Sequence, residues 1–302
     1  MKKLVLITGV AGFIGSKVAN RFATEGFQVV GVDDLSNGKL ENIPKGIDFI
    51  KRDLSEKKTI NLLPRKCDQI LHLAGQSSGE ISFDDPKNDL DKNTVSTLNL
   101  INYGIKRNAK RIIYSSSMSV YGNLSKAKVS EKDRCSPISC YGVSKMMSEK
   151  YLYIFRKYLP FVALRMSNVY GPGQDMSNLR QGMVSIYLAQ ALKNKKILIK
   201  GSLERVRDFI YIDDVVECWF RASKFNSCLN LCMNIGTGVP TKVKKLIAII
   251  KKKIPGTKYH LSKSTKGDQN FIVGYNDLLR SKLGIKKFLT VEKGLESFIS
   301  SL

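Results

Sequence analysis

The chain has 302 residues, 43% of them hydrophobic and 25% charged, with only 8 prolines, so it can bury one large core or two smaller ones around a cleft and shows no bias toward disorder. Its formal net charge of +24 leaves nucleic acid, an acidic membrane surface or anionic substrates as candidate partners. No apolar run approaches the roughly 20 residues of a membrane span.

The opening Met1 to Ile7 is cut short by Thr8 and Gly9 and has no small-residue cleavage pattern, so it reads as a buried strand and not as a leader. Gly9, Gly12 and Gly15 follow, and then Val18, Ala19, Phe22 and Ala23 recur at helical spacing. Strand, glycine loop and helix open a doubly wound nucleotide-binding sheet, in which a pyrophosphate meets the helix N-terminus. A second strand, Gln28 to Val32, ends in Asp33 and Asp34. A carboxylate 18 residues beyond Gly15 (33 − 15) suits ribose hydroxyls and repels a 2′-phosphate, which argues for NAD over NADP.

Ile47 to Lys51 predicts a third strand, leading to Asp53 near the adenine. Gln69 to Leu73 predicts a fourth, ending in the small-residue turn Ala74-Gly75-Gln76. His72 lies within that apolar strand and reads as a core histidine without a catalytic role. Asn93 to Asn108 predicts a helix with Val95, Leu98, Leu100, Ile101 and Ile105 on its apolar face, and Ile112 to Ser115 a fifth strand from whose end the serine triplet emerges. A loop from Asn123 to Ser139 precedes a helix carrying Tyr141 and Lys145. Four residues apart, these two project from one face, so an ammonium can sit beneath a phenol and favour the phenolate. The same spacing occurs on ordinary solvated faces, so the pair alone does not identify a site.

Phe161 to Arg165 is a further apolar strand. Beyond it lie the turn-rich exit Ser167 to Gly173, a helix from Met183 to Lys193, a strand pair around Ile197 to Ile212 and more helices. The reading is therefore α/β: a doubly wound parallel sheet over residues 1–165 and a smaller mixed α/β C-terminal substrate lobe over 166–302, with some segments returning to the sheet. Most lysines are scattered. The densest stretch, Lys242 to Lys253, alternates them with Val, Leu and Ile as an amphipathic helix does, and no aromatic residues interleave. That argues against nucleic acid and for a solvated surface with a broad attraction for anions. Six cysteines form no C-x-x-C pair and find no histidine at metal spacing, so free thiols in a reducing cytoplasm and no metal are expected.

The motifs together resemble the extended short-chain dehydrogenase/reductases, and within them the NAD-dependent sugar-nucleotide epimerases and dehydratases. The resemblance rests on Thr8-Gly9-x-x-Gly12-Phe13-Ile14-Gly15, His72-Leu73-Ala74-Gly75, Asn93, Ser115-Ser116-Ser117 with Val120-Tyr121-Gly122, and Tyr141-x-x-x-Lys145. It continues through Arg165-x-x-Asn168-Val169-Tyr170-Gly171-Pro172, Arg207-Asp208-Phe209 with Asp213-Asp214-Val215, and Asn234-Ile235-Gly236. It implies a Rossmann-type sheet and assigns Tyr141 as acid/base, Lys145 as the cation that tunes it and holds the nicotinamide ribose, and Ser117 as the hydroxyl on the reacting oxygen. The NAD site it implies starts with Gly9, Gly12, Phe13, Ile14 and Gly15 and continues with Asp33, Asp34, Asp53 and Leu54. Leu73, Ala74, Gly75, Gln76, Asn93, Ser115 and Met166 complete it with Tyr141 and Lys145. Ser77, Ser117, Asn168, Arg180, Arg207 and Lys266 are the expected substrate residues, Asn168 and Arg207 against a nucleotide diphosphate.

Related dehydratases and decarboxylases carry an acid just before Val-Tyr-Gly, where this chain has Ser119 after Met118. The expected reaction is therefore inversion at C4 of a nucleotide-activated hexose through a 4-keto intermediate. A 4-keto nucleotide-sugar reductase is the alternative, a 4,6-dehydratase is disfavoured, and a non-catalytic anion-binding relative is the remote alternative. Members of this group pair as homodimers through two helices, which here would start near Asn93 and Tyr141.

Overall fold

The computed structural model describes residues 2–123 and 128–302; Met1 and residues 124–127, which fall in the loop expected from Asn123 to Ser139, lie outside the described residues. Six strands alternate with helices in the first half: β1 (Leu4–Thr8), β2 (Gln28–Asp33), β3 (Asp48–Lys51), β4 (Gln69–His72), β5 (Arg111–Ser117) and β6 (Phe161–Met166). Eight more follow among the described residues: β7 (Asn168–Tyr170), β8 (Lys196–Lys200), β9 (Val206–Arg207), β10 (Phe209–Tyr211), β11 (Leu231–Ile235), β12 (Thr241–Lys242), β13 (Lys258–Ser262) and β14 (Phe271–Ile272). The helices are α1 (Phe13–Thr24), α2 (Pro86–Leu90), α3 (Ser96–Lys106), α4 (Cys140–Phe155), α5 (Met183–Asn194), α6 (Ile212–Lys224), α7 (Val243–Lys253), α8 (Asp277–Leu283) and α9 (Val291–Ser300).

The main sheet is parallel throughout, in the order β11-β6-β5-β4-β1-β2-β3. Its strands are apolar at successive positions because both faces are covered. In β1, Val5 and Ile7 join a core with Phe22 of α1 and Trp219 of α6, while Leu6 points to the opposite core with Leu100 of α3 and Leu152 of α4. Strand β11 arrives from residue 231 to extend the sheet beyond β6. The C-terminal region adds a third core, in which Leu188 of α5, Ile197 and Ile199 of β8, Leu246 of α7 and Leu295 of α9 meet.

Three local expectations change. The serine triplet does not emerge from β5 but completes it, pairing with Leu164 to Met166 of β6, so Ser115, Ser116 and Ser117 are fixed by sheet register. The helix expected from Asn93 starts at Pro86, capped by Asp85 accepting from the Asn88 amide, and passes through a π-helical turn at Asp91–Val95 before α3. The strands expected to pair between Ile197 and Ile212 find other partners. β8 pairs with β13, β9 with β12 and β14, and β10 with β7; the long-range partners are invisible to local periodicity.

Candidate active site

The carboxyl ends of the central strands border a cleft of about 530 Å³. The residues expected at the dinucleotide all line it except Asn93. At the start of α1 a Cβ on Gly15 would fall 1.9 Å from the Gly9 carbonyl oxygen, so only glycine lets the helix begin so close to the loop. The first turn of α1 carries no acidic side chain, which leaves its positive end free for an anion. Asp33 is buried, and its carboxylate accepts from the amides of Ala11 (3.0 Å) and Leu35 (2.8 Å). Burial raises its pKa despite these bonds.

Asp34 and Asp53 are bridged by Lys92, whose Nζ lies 2.5 and 2.7 Å from their carboxylates. Burial pushes Asp34 upward, but Lys92 and Ser36 outweigh it and hold the group below the usual carboxylate range. Sequence reasoning missed Lys92, because nothing in its spacing sets it apart. The π-helical turn explains its reach: the wider winding sends Lys92 toward Asp34 and Asp53 while Asn93 turns inward. Asn93 is fully buried, donates to Asp89 (3.1 Å) and presses its Oδ1 against Gly75, where a Cβ would come within 2.3 Å. Among the described residues that oxygen receives no hydrogen bond.

Tyr141 and Lys145 are positioned by the start of α4. Ser139 caps the helix, accepting from the Gly142 amide at 3.1 Å, and a Cβ on Gly142 would stand 2.6 Å from the Ser119 carbonyl oxygen. The helix start thus lies directly on the turn that follows β5, and Tyr141 is brought to Ser117. Lys145 is buried, with Nζ 5.6 Å from the Tyr141 ring centroid and 5.0 Å from that of Tyr114. Burial pushes Tyr141 up to about 12, partly offset by the facing Ser117 hydroxyl, and pushes Lys145 down to about 8 in spite of the Asp89 charge. With the chain's own groups, desolvation, and not the cation expected to bring the phenol toward the working range, sets the direction of the shift.

Two buried networks fix this corner. The Glu149 carboxylate accepts from Ser116 Oγ (2.6 Å) and from Arg165 Nε (2.8 Å) and Nη2 (2.6 Å), and Arg165 Nη1 donates to Tyr121, whose hydroxyl donates to Asn234. His72 is a core residue. The Ala74 amide donates to Thr8 Oγ1 (3.1 Å), Thr8 stands 2.8 Å from His72 Nδ1, and Nε2 stands 3.1 Å from Thr97 Oγ1, which donates to the Asn93 carbonyl. Donor accounting assigns a neutral ring with its proton on Nε2.

A second cavity, about 270 Å³, shares the wall of Ser77, Ser117 and Asn168 with the first. It gathers all six expected substrate residues: those three with Arg180, Arg207 and Lys266. Their cations are partly committed. Arg207 Nη2 donates to Asp268 (2.6 Å) and to the Gln269 carbonyl, Arg205 pairs with the same Asp268, and Arg180 pairs with Asp84 (2.6 Å). Gln181, which the sequence did not single out, donates to Ser77.

Residues 5–236 match the NAD dependent epimerase/dehydratase family. The chain belongs to that family. It is 35% identical over 250 residues to the UDP-glucose 4-epimerase of Mycolicibacterium smegmatis, covering 80% of this chain and 79% of that protein. Among solved structures it superimposes on the Thermotoga maritima UDP-glucose 4-epimerase with UDP-glucose at a TM-score of 0.94, with 33% identity and 99% and 98% of the two chains covered. The UDP-glucose 4-epimerase of Thermus thermophilus in complex with NAD gives 0.89, 28%, and 99% and 98%. The family's cofactor is NAD, and the cleft fits it. The glycine cradle at α1 stays open only without side chains, and the Asp33 carboxylate stands at the end of β2. Among the described residues no helix is long and apolar enough to cross a membrane, and no cluster of ligating side chains could hold a metal.

Proposed function

We propose that this enzyme inverts C4 of a nucleotide-activated hexose. The observation that carries the reading is that Ser117, which lines both cavities, meets Tyr141 and Lys145 of the first, and that Ser119, the position that would need an acid for elimination, accepts a hydrogen bond from Ser117 (3.2 Å). Glu80, the nearby acid on the substrate side, is held by Lys200 and Arg180. Bound NAD supplies the acceptor, and then the donor, of the C4 hydride, together with a positive charge on its oxidised ring.

Tyr141, as phenolate, takes the proton of the 4-hydroxyl and returns it once the 4-keto sugar has turned over. Ser117 holds the reacting oxygen, and the Lys145 ammonium favours the phenolate. Arg207 and Asn168 anchor the diphosphate, so the hexose alone reorients. The test is C4 inversion followed by NMR with UDP-, dTDP- and GDP-hexoses. Inversion without net cofactor consumption supports the reading; net NAD(P)H turnover without inversion would replace it with a 4-keto reductase.

The active form is, in this reading, a homodimer in the cytoplasm. Val143, Met147 and Ile154 form one exposed apolar face of α4, next to exposed Leu90 at the end of α2, the kind of surface that a second copy covers. The free thiols suit a reducing compartment.

A further inference from the structure

We propose that the edge formed by β8 and β13 is a docking site for an anionic membrane surface. It concentrates the charge that the cleft does not use. Residues 176–203 and 218–267 contain no Asp or Glu, and the chain brings these segments together as α5, β8, α7 and β13. Lys258 N donates to the Lys195 carbonyl, Gln190 of α5 accepts from the Leu198 amide, and Lys251 of α7 lies 5.8 Å from the Tyr259 ring centroid of β13. Lys193, Lys195, Lys196, Lys251 and Lys258 are exposed there, and none of them forms a salt bridge among the described residues; Lys252, also exposed, lies in the field of Glu296.

Among the described residues strand β13 pairs only with β8, and it is exposed along its whole length. Lysines on an edge strand serve to block strand pairing, yet that role does not call for apolar side chains among them. Leu198 (45% exposed) shares one face of the strand pair with Lys196 and Lys258, while Tyr259 (40%) and Leu261 (57%) lie on the other with Lys251 of α7, so both faces that meet at this edge carry apolar side chains beside lysines; Leu192 of α5 is 44% exposed. An anionic bilayer rewards both components, charge at the headgroups and apolar or aromatic side chains at their boundary. A nucleic acid rewards cations and stacked rings but not projecting leucines, and favours arginine forks over lysine. The chain runs from β13 through Lys263 to Lys266 in the wall of the second cavity, so a membrane bound at this edge would lie beside the substrate entrance. The inference goes beyond the proposed reaction and does not depend on it.

The experiment is co-sedimentation of the full chain with vesicles of phosphatidylcholine alone or mixed with phosphatidylglycerol. Partition is expected on the mixed vesicles at low salt and to fall with salt. Lys196→Glu/Lys251→Glu/Lys258→Glu should weaken it about tenfold or more, since each surface lysine contributes separately, and Tyr259→Ser/Leu261→Ser should weaken it several-fold at fixed salt. Lys45→Glu/Lys57→Glu/Lys66→Glu, exposed lysines at the far side of the main sheet, should leave it unchanged. Equal losses from the two lysine triples would reduce the effect to bulk charge and overturn the proposal. So would absence of partition on the mixed vesicles, or duplex DNA binding that the edge triple abolishes while vesicle binding persists.

Discussion

The two halves of the cleft are built in different ways. The cofactor half is made by consecutive strand ends of one parallel sheet, so Gly9, Asp33, Gly75 and Ser117 are placed by register, and the packing behind them is closed by hydrogen-bonded networks with no exposed member. The substrate half is assembled from β9, β14, the start of α5 and loops that meet only through long-range pairing, and its cations already hold partners in Asp268 and Asp84. One half presents fixed backbone and dry side chains, whereas the other presents charges that a ligand must share. Changes in the first should therefore act on chemistry and stability, and changes in the second on affinity.

The largest expected effect is at the junction. Tyr141→Phe should lower turnover by about 10²–10⁴-fold while the purified protein keeps its bound cofactor, which absorbance of the released nucleotide measures. Turnover within a few-fold of the parent would remove Tyr141 as the base. Next comes the network behind it. Glu149→Leu leaves the Arg165 guanidinium buried without its counter-charge, at a cost of about 3–5 kcal/mol. Urea unfolding should register it, and a loss below about 1 kcal/mol would mean that water reaches the pair.

How much was legible in the sequence follows the same division. Gly9 to Gly15, Asp33 and the Tyr141/Lys145 pair sit within short local patterns, and a parallel sheet needs only local patterns to bring their strand ends together. Lys92 was not legible, because its partners Asp34 and Asp53 lie 58 and 39 residues away and the π-helical turn that aims it leaves no mark on periodicity. The pairing of β8 with β13 was hidden for the same reason, since it joins residues some sixty positions apart. The direction of the Tyr141 shift depended on burial, which residue spacing does not report.

A smaller effect is expected in the substrate half. Asp268→Asn removes the charge that orients Arg205 and Arg207; KM for the nucleotide sugar should change by about tenfold and kcat by less than about twofold, because an anchor away from the reacting carbon contributes uniform binding. Steady-state kinetics at saturating cofactor separates the two parameters, and a fall confined to kcat would move Asp268 into the chemistry and erase the contrast between the halves.

A pH-dependent effect tests whether the cofactor half is held by its neutral histidine. Burial drives His72 down to about 3 from its ordinary 6.5, so on acidification the unfolded chain takes up the proton first. The stability conferred by the neutral ring is complete above pH 6.5 and is lost as pH falls toward 3, amounting to about 2 kcal/mol by pH 5, or roughly 1.5 pH units at ~1.36 kcal/mol each. Buried Asp33 and Asp89 are shifted upward and oppose this trend, so the parent alone does not isolate it. The difference between parent and His72→Asn does, because the other histidine, His260, is exposed. The parent should lose about 2 kcal/mol more than the variant between pH 7 and pH 5 in urea titrations. Parallel losses would show that Thr8 and Thr97 accommodate a charged ring, and that the cofactor wall owes its rigidity to sheet register alone.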